Sequence, residues 1–76
     1  MDGNVVAVAP NGQVFTHSAL LRNHYVTRNA VLVSQDGVCK ALSWHVDSFA
    51  ADRKAFSKKV REAYDAVIVV DVEAAE

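Results

Sequence analysis

Seventy-six residues, 51% apolar and 22% charged, specify one globular domain over residues 1–76, close to the lower size at which a chain folds without staples. Eight Lys+Arg against nine Asp+Glu leave a formal net charge of −1, which argues against a strong non-specific nucleic-acid binder. A lone Cys39 excludes an internal disulfide, Ala66 to Val70 is too short an apolar run for a bilayer, and Met1-Asp2-Gly3-Asn4 leads into no signal-like segment, so a cytoplasmic protein is expected.

Asn4 to Pro10 is a Val/Ala run closed by Pro10-Asn11-Gly12 and followed by Gln13-Val14-Phe15-Thr16. Asn-Gly tolerates the positive φ of a two-residue primed turn, which predicts a first hairpin. Pro10 donates no ladder hydrogen bond and fits the last position of its first strand. Ser18 to Asn23 reads as a short helical turn capped by Thr16 or Ser18, or as an irregular crossover with its leucines under the sheet.

Tyr25 to Ser34 is rich in β-branched and aromatic residues and predicts a strand. Gln35-Asp36-Gly37 is a second hairpin turn, and Val38 to Val46 is its return strand. Alternation puts Val38, Leu42, Trp44 and Val46 on one face, and Cys39, Ala41, Ser43 and His45 on the other. Lys40 interrupts the pattern near the turn, where its stem can lie on the sheet and its ammonium reach water.

Asp47 or Ser48 caps one helix running to about Tyr64, with Phe49, Phe56, Val60 and Ala63 as its inner stripe and Tyr64 on the margin. Ala66 to Val72, apolar on both faces through Val70, predicts a covered final strand. Residues 73–76 read as a frayed tail. The expected fold is therefore α+β: a four- to five-stranded, mainly antiparallel sheet of two hairpins plus a C-terminal strand, with one long helix packed on one face. The opposite face lacks a second helix and is expected to be solvated or paired with a second copy. The edge at Ala66–Val72 offers another route to a homodimer.

The directional surface signal is Arg53-Lys54-Ala55-Phe56-Ser57-Lys58-Lys59-Val60-Arg61, five cations without an anion. With Phe49 turned inward, Lys54, Lys58 and Arg61 project together on the outer face, Lys59 lies to one side and Arg53 flanks the apolar stripe. Such a ridge suits an acidic partner surface or phosphates. The alternative is an ordinary solvated face, moderated by the pairs Lys58–Glu62 and Arg61–Asp65. Trp44 is a candidate partner anchor, or else core packing under the helix. Tyr25 with Arg22 and Arg28 is too small a set for base stacking.

His17, His24, His45 and Cys39 are the candidates for a transition-metal site, but no two have the close spacing of a recognisable zinc site, so no metal or cofactor is expected. Nucleophilic catalysis would need Cys39 or a serine beside a histidine oriented by a third group. The three glycines form no phosphate-binding loop. A non-enzymatic protein is expected.

Tyr25-Val26-Thr27-Arg28-Asn29-Ala30-Val31-Leu32-Val33, then Gly37-Val38 and Ala41-Leu42-Ser43-Trp44-His45, resembles a pattern in small uncharacterised bacteriophage-encoded proteins, over about residues 22 to 58. The resemblance implies no activity. It implies a compact protein that binds and blocks a host macromolecule, an anti-CRISPR-like inhibitor being the most concrete version. The expected partner is a host protein or complex met by the basic helix, in the host cytoplasm and without membrane contact. The rival is a small nucleic-acid-binding regulator using the same helix on phosphates.

Overall fold

Five successive buried residues, Asn29 to Val33, organise the computed structural model, which describes residues 3–19 and 26–75. A strand buried on both faces must lie between two layers. It belongs to β3 (Asn29–Gln35), the centre of a sheet flanked by β4 (Val38–His45) and β5 (Ala66–Asp71), both antiparallel to it. Val31 and Val33 look toward the helices, where Ala51, Ala55 and Val60 complete a buried cluster. Ala30 and Leu32 look the other way.

That other face is covered. The first hairpin, β1 (Asn4–Val8) and β2 (Val14–Ser18), forms a second sheet whose Ala7, Ala9 and Phe15 pack on Ala30 and Leu32. Its third strand is β6 (Glu73–Ala74), paired with Val5 and Val6, where a frayed tail was expected. The fold is thus α+β with two three-stranded antiparallel sheets, in place of a single four- to five-stranded one. The face expected to be solvated or paired with a second copy is filled by the chain's own hairpin.

Both turns form, one as expected. Gln35 pairs with Val38 around Asp36 (φ 54) and Gly37 (φ 82), the two positive dihedrals of a primed two-residue turn. Asp65 Oδ2 accepts the Asp36 N–H at 2.9 Å and steadies it. The first turn differs, because Pro10 presets the φ of a turn's first central position. Gly12 N–H donates to Ala9 O at 2.9 Å, and Gly12 alone (φ 91) takes the left-handed conformation. Pro10-Asn11 is therefore the turn's centre and β1 ends at Val8, before Pro10.

The expected single helix is two, α1 (Ser48–Ala55) and α2 (Lys58–Ala63). Asp47 caps the first, accepting the Ala50 N–H at 2.8 Å. Its buried residues are Ala51 and Ala55, while Phe49 and Phe56 are 70% and 69% exposed. Relative to the sequence reading, the helix is turned roughly 140° about its axis at 3.6 residues per turn. Small residues inward let the helix backbone lie close to Val31 and Val33. The break follows from the same choice. Val60 lies nine positions beyond Ala51, on the opposite side of a continuous helix. Extended backbone at Ser57 (φ −59, ψ 133) redirects the chain so that Val60 joins Ala51 and Ala55 in one core. Ala63, expected in the stripe, is exposed.

Strand β4 carries an irregularity that the alternation rule cannot anticipate. Val31 faces Ser43 and Leu32 faces Ala41, leaving Leu42 as an extra residue. Beyond it the faces exchange. Leu42 stays in the helix-side cluster, but Trp44 joins Cys39 and Ala41 against the hairpin. The expected turn or crossover at Ser18–Asn23 extends into residues 20–25, outside the described residues, as do Arg22, His24 and Tyr25.

Candidate functional site: the exposed aromatic and basic helix face

Phe49, Arg53 and Phe56 recur at spacings of four and three, so they share the outward side of α1. Arg53 Cζ lies 5.9 Å from the centroid of the Phe49 ring, a cation over an aromatic face. Asp52 borders this face, and the Phe56 N–H donates to its main-chain carbonyl at 2.8 Å, closing the helix end. Single exposed apolar residues are ordinary, but two phenylalanines on one short helix form a patch.

The cations are placed differently from expectation. The break at Ser57 removes the helical periodicity that would align Lys54 with Lys58 and Arg61. Lys54 lies close enough to His45 for its charge to act on that ring. Lys58, Lys59 and Arg61 are exposed on α2, with Lys58 in a solvent-exposed contact of 4.0 Å with Glu62. An exposed pair at that distance contributes little. The expected Arg61–Asp65 pair does not form, since Asp65 is engaged with the second turn. Arg61 instead lines a groove of about 460 Å³ with Phe56, Tyr64, Val67 and Val69. The five cations are thus split between two segments, Arg53 and Lys54 on α1 and Lys58, Lys59 and Arg61 on α2, with Arg53 beside Phe49 and Arg61 beside Phe56, and do not form one ridge.

Trp44 does not belong to this surface. It is half-buried on the opposite face of its sheet, where the His17 ring stacks on it at 4.8 Å between centroids. The exposed phenylalanines were missed because large apolar residues at helical spacing read as core. The signal available was the rival stripe of Ala51 and Ala55.

The remaining reactive groups are dispersed. His17 is engaged with Trp44, Cys39 is half-buried in the hairpin-side core, and His45 belongs to the helix side of β4. Among the described residues no three His, Cys, Asp or Glu come together as a metal site. Ser43 Oγ and His45 Nε2 are 2.7 Å apart, the first two members of a nucleophilic arrangement. The described residues place no carboxylate on the other ring nitrogen, because Asp47 is occupied as the α1 cap. Without that orienting group, the pair reads as a satisfied polar contact.

Burial lowers the His45 pKa from its usual 6.5, helped by the Lys54 ammonium and opposed by Asp47. The unfolded chain then binds the proton more readily than the folded one. This contribution is fully present above 6.5 and is lost as pH falls toward the folded pKa. Urea midpoints should therefore drop between about pH 7.5 and pH 5.5, and His45→Gln should reduce that drop. An equal drop in the variant would assign the effect elsewhere.

No helix among the described residues is long and apolar enough to cross a membrane. The chain matches no family model, no curated protein and no solved structure.

Proposed function

We propose that this chain is a non-enzymatic interaction module that docks the α1 face on an acidic surface with apolar pockets. Phe49 and Phe56 would fill the pockets, Arg53 would meet a carboxylate, and Lys54, Lys58, Lys59 and Arg61 would form the charged rim. The observation that carries this reading is the 70% and 69% exposure of two phenylalanines on the helix that begins the basic segment. Desolvated aromatic and arginine side chains supply most interface energy, while rim charges mainly set encounter rate and specificity. The resemblance to small bacteriophage-encoded proteins supports a more specific version, in which the module blocks a host macromolecular complex, as an anti-CRISPR-like inhibitor would.

The five cations also support a second reading, contact with nucleic-acid phosphates. Salt separates the two. Protein docking through buried aromatic anchors should weaken only modestly with salt, whereas five phosphate contacts give a log–log slope of about −4 to −5. The test is affinity capture from host lysate over a salt series, beside a mobility shift on generic duplex and single-stranded DNA. A specific protein retained at high salt, with no DNA shift, is expected. Retention of nucleic acid alone, released steeply by salt, would overturn the docking reading.

A further inference from the structure

We infer that β5 is a dimerisation edge, pairing antiparallel with β5 of a second copy to make one six-stranded sheet. Among the described residues the two sheets present four edge strands, and three carry ordinary protection. β2 is short and polar through Thr16, His17 and Ser18; β6 has two residues; β4 has Lys40 and the extra residue at Leu42. Charge, shortness and irregularity are the usual means of keeping an edge unpaired.

β5 has only Asp71, at its last position. Ala66-Val67-Ile68-Val69-Val70 contains no charge, proline or glycine, and no register shift interrupts its ladder with β3. The carboxylates at its two ends are drawn toward their own molecule: Asp65 to the Asp36 N–H at 2.9 Å, and Asp71 to Asn29 Nδ2 at 2.7 Å. The Val72 N–H donates to Arg28 O at 3.0 Å and fixes the phase of the ladder. Main-chain groups of Val67, Val69 and Asp71 therefore point away from β3.

The occupant that fits is an identical strand. Set antiparallel about a twofold at Val69, Val69 faces its own copy, and Val67 faces the partner's Asp71. All three outward residues are then hydrogen-bonded, and no carboxylate opposes another within the strand. Moving the axis to Asp71 would set like charges opposite each other, which is destabilising. A groove borders the strand on each face, one lined by Tyr64, Val67 and Val69 together with the charged Asp52, Arg61 and Asp65, the other mainly apolar with Leu32, Cys39, Ala66 and Ile68. An added strand lays alternate side chains over the two grooves. The docking face of α1 is a separate element, so this inference stands independently of it.

Light scattering over a dilution series tests it directly. The wild type should have twice the chain mass, and Val69→Pro half of that, because proline removes an N–H that faces the partner and leaves the ladder with β3 intact. Far-UV circular dichroism checks that the variant folds. Cysteine cross-linking gives a second readout that does not depend on proline being tolerated. In a Cys39→Ser background, Val69→Cys should form a disulfide-linked dimer on mild oxidation, since paired Cα atoms about 5.5 Å apart can be bridged. Ile68→Cys, facing Val70 across the axis, should not. A wild type that scatters as a monomer at every concentration overturns the proposal, and so does a Val69→Pro protein that folds and remains dimeric. Failure of the residue-69 cysteine to link overturns this register.

Discussion

Replacing Leu32 by alanine is expected to leave most of the protein unfolded at room temperature. Its side chain is fully buried between the central sheet and the first hairpin, packed with Ala7, Ala9 and Ala30 and edged by Phe15 and Ile68. The neighbours are mostly alanines, which cannot swing into the space a leucine leaves. Such truncations cost about 2–5 kcal/mol. A core of this size supplies only about 3–5 kcal/mol in total. One substitution is therefore comparable with the whole stability of the domain. Loss of the cooperative urea transition would show it. A Leu32→Ala protein within about 1 kcal/mol of wild type would contradict the packing of the hairpin on β3.

The double variant Phe49→Ala, Phe56→Ala should behave in the opposite manner, losing its partner and keeping its fold. Both rings are exposed, so little buried area is lost and stability should change by less than about 0.5 kcal/mol. If they are the anchors, partner affinity should fall by at least about 2 kcal/mol, roughly thirtyfold. Calorimetry against the captured partner would measure this, beside a urea titration of both proteins. Unchanged affinity would remove α1 as the docking surface. A large loss of stability would instead mean that the rings contribute to the core.

Residues with one dominant local preference revealed the fold at the level of sequence. Asp36-Gly37 admits few alternatives to a primed turn, the β-branched and aromatic stretch Tyr25 to Ser34 pointed to a strand, and the apolar run Ala66–Val70 to a covered one. Three features depended on competition that a linear pattern does not resolve. Phe49 and Phe56 compete with Ala51 and Ala55 for the core face of α1, and close backbone approach favours the alanines. Val60 can share their core only if the chain breaks, which Ser57 permits without requiring. Leu42 adds one residue to its strand, and strict alternation then misplaces Trp44. The candidate surface was legible in its charges and misread in its aromatics, since a phenylalanine at helical spacing looks the same inward or outward. The covering of the second sheet face was hidden for a different reason. It depends on the first hairpin folding back over β3, a long-range contact with no local signature.

The pairing of β6 with β1 gives the molecule a latch. Val5 faces Ala74, and the Ala75 N–H donates to Asn4 O at 3.0 Å, so this seam joins segments from opposite ends of the sequence. Closing so long a loop carries a large entropy cost, yet the strand that closes it has two exposed residues. The seam is therefore the weakest part of the ladder and the first to open, well below the energy of global unfolding. In hydrogen exchange, the amides of Glu73 to Ala75 should belong to a separate, faster class than those of β3. The hairpin that shields Leu32 is thus bordered, within its own sheet, by the seam expected to open before the folded core does.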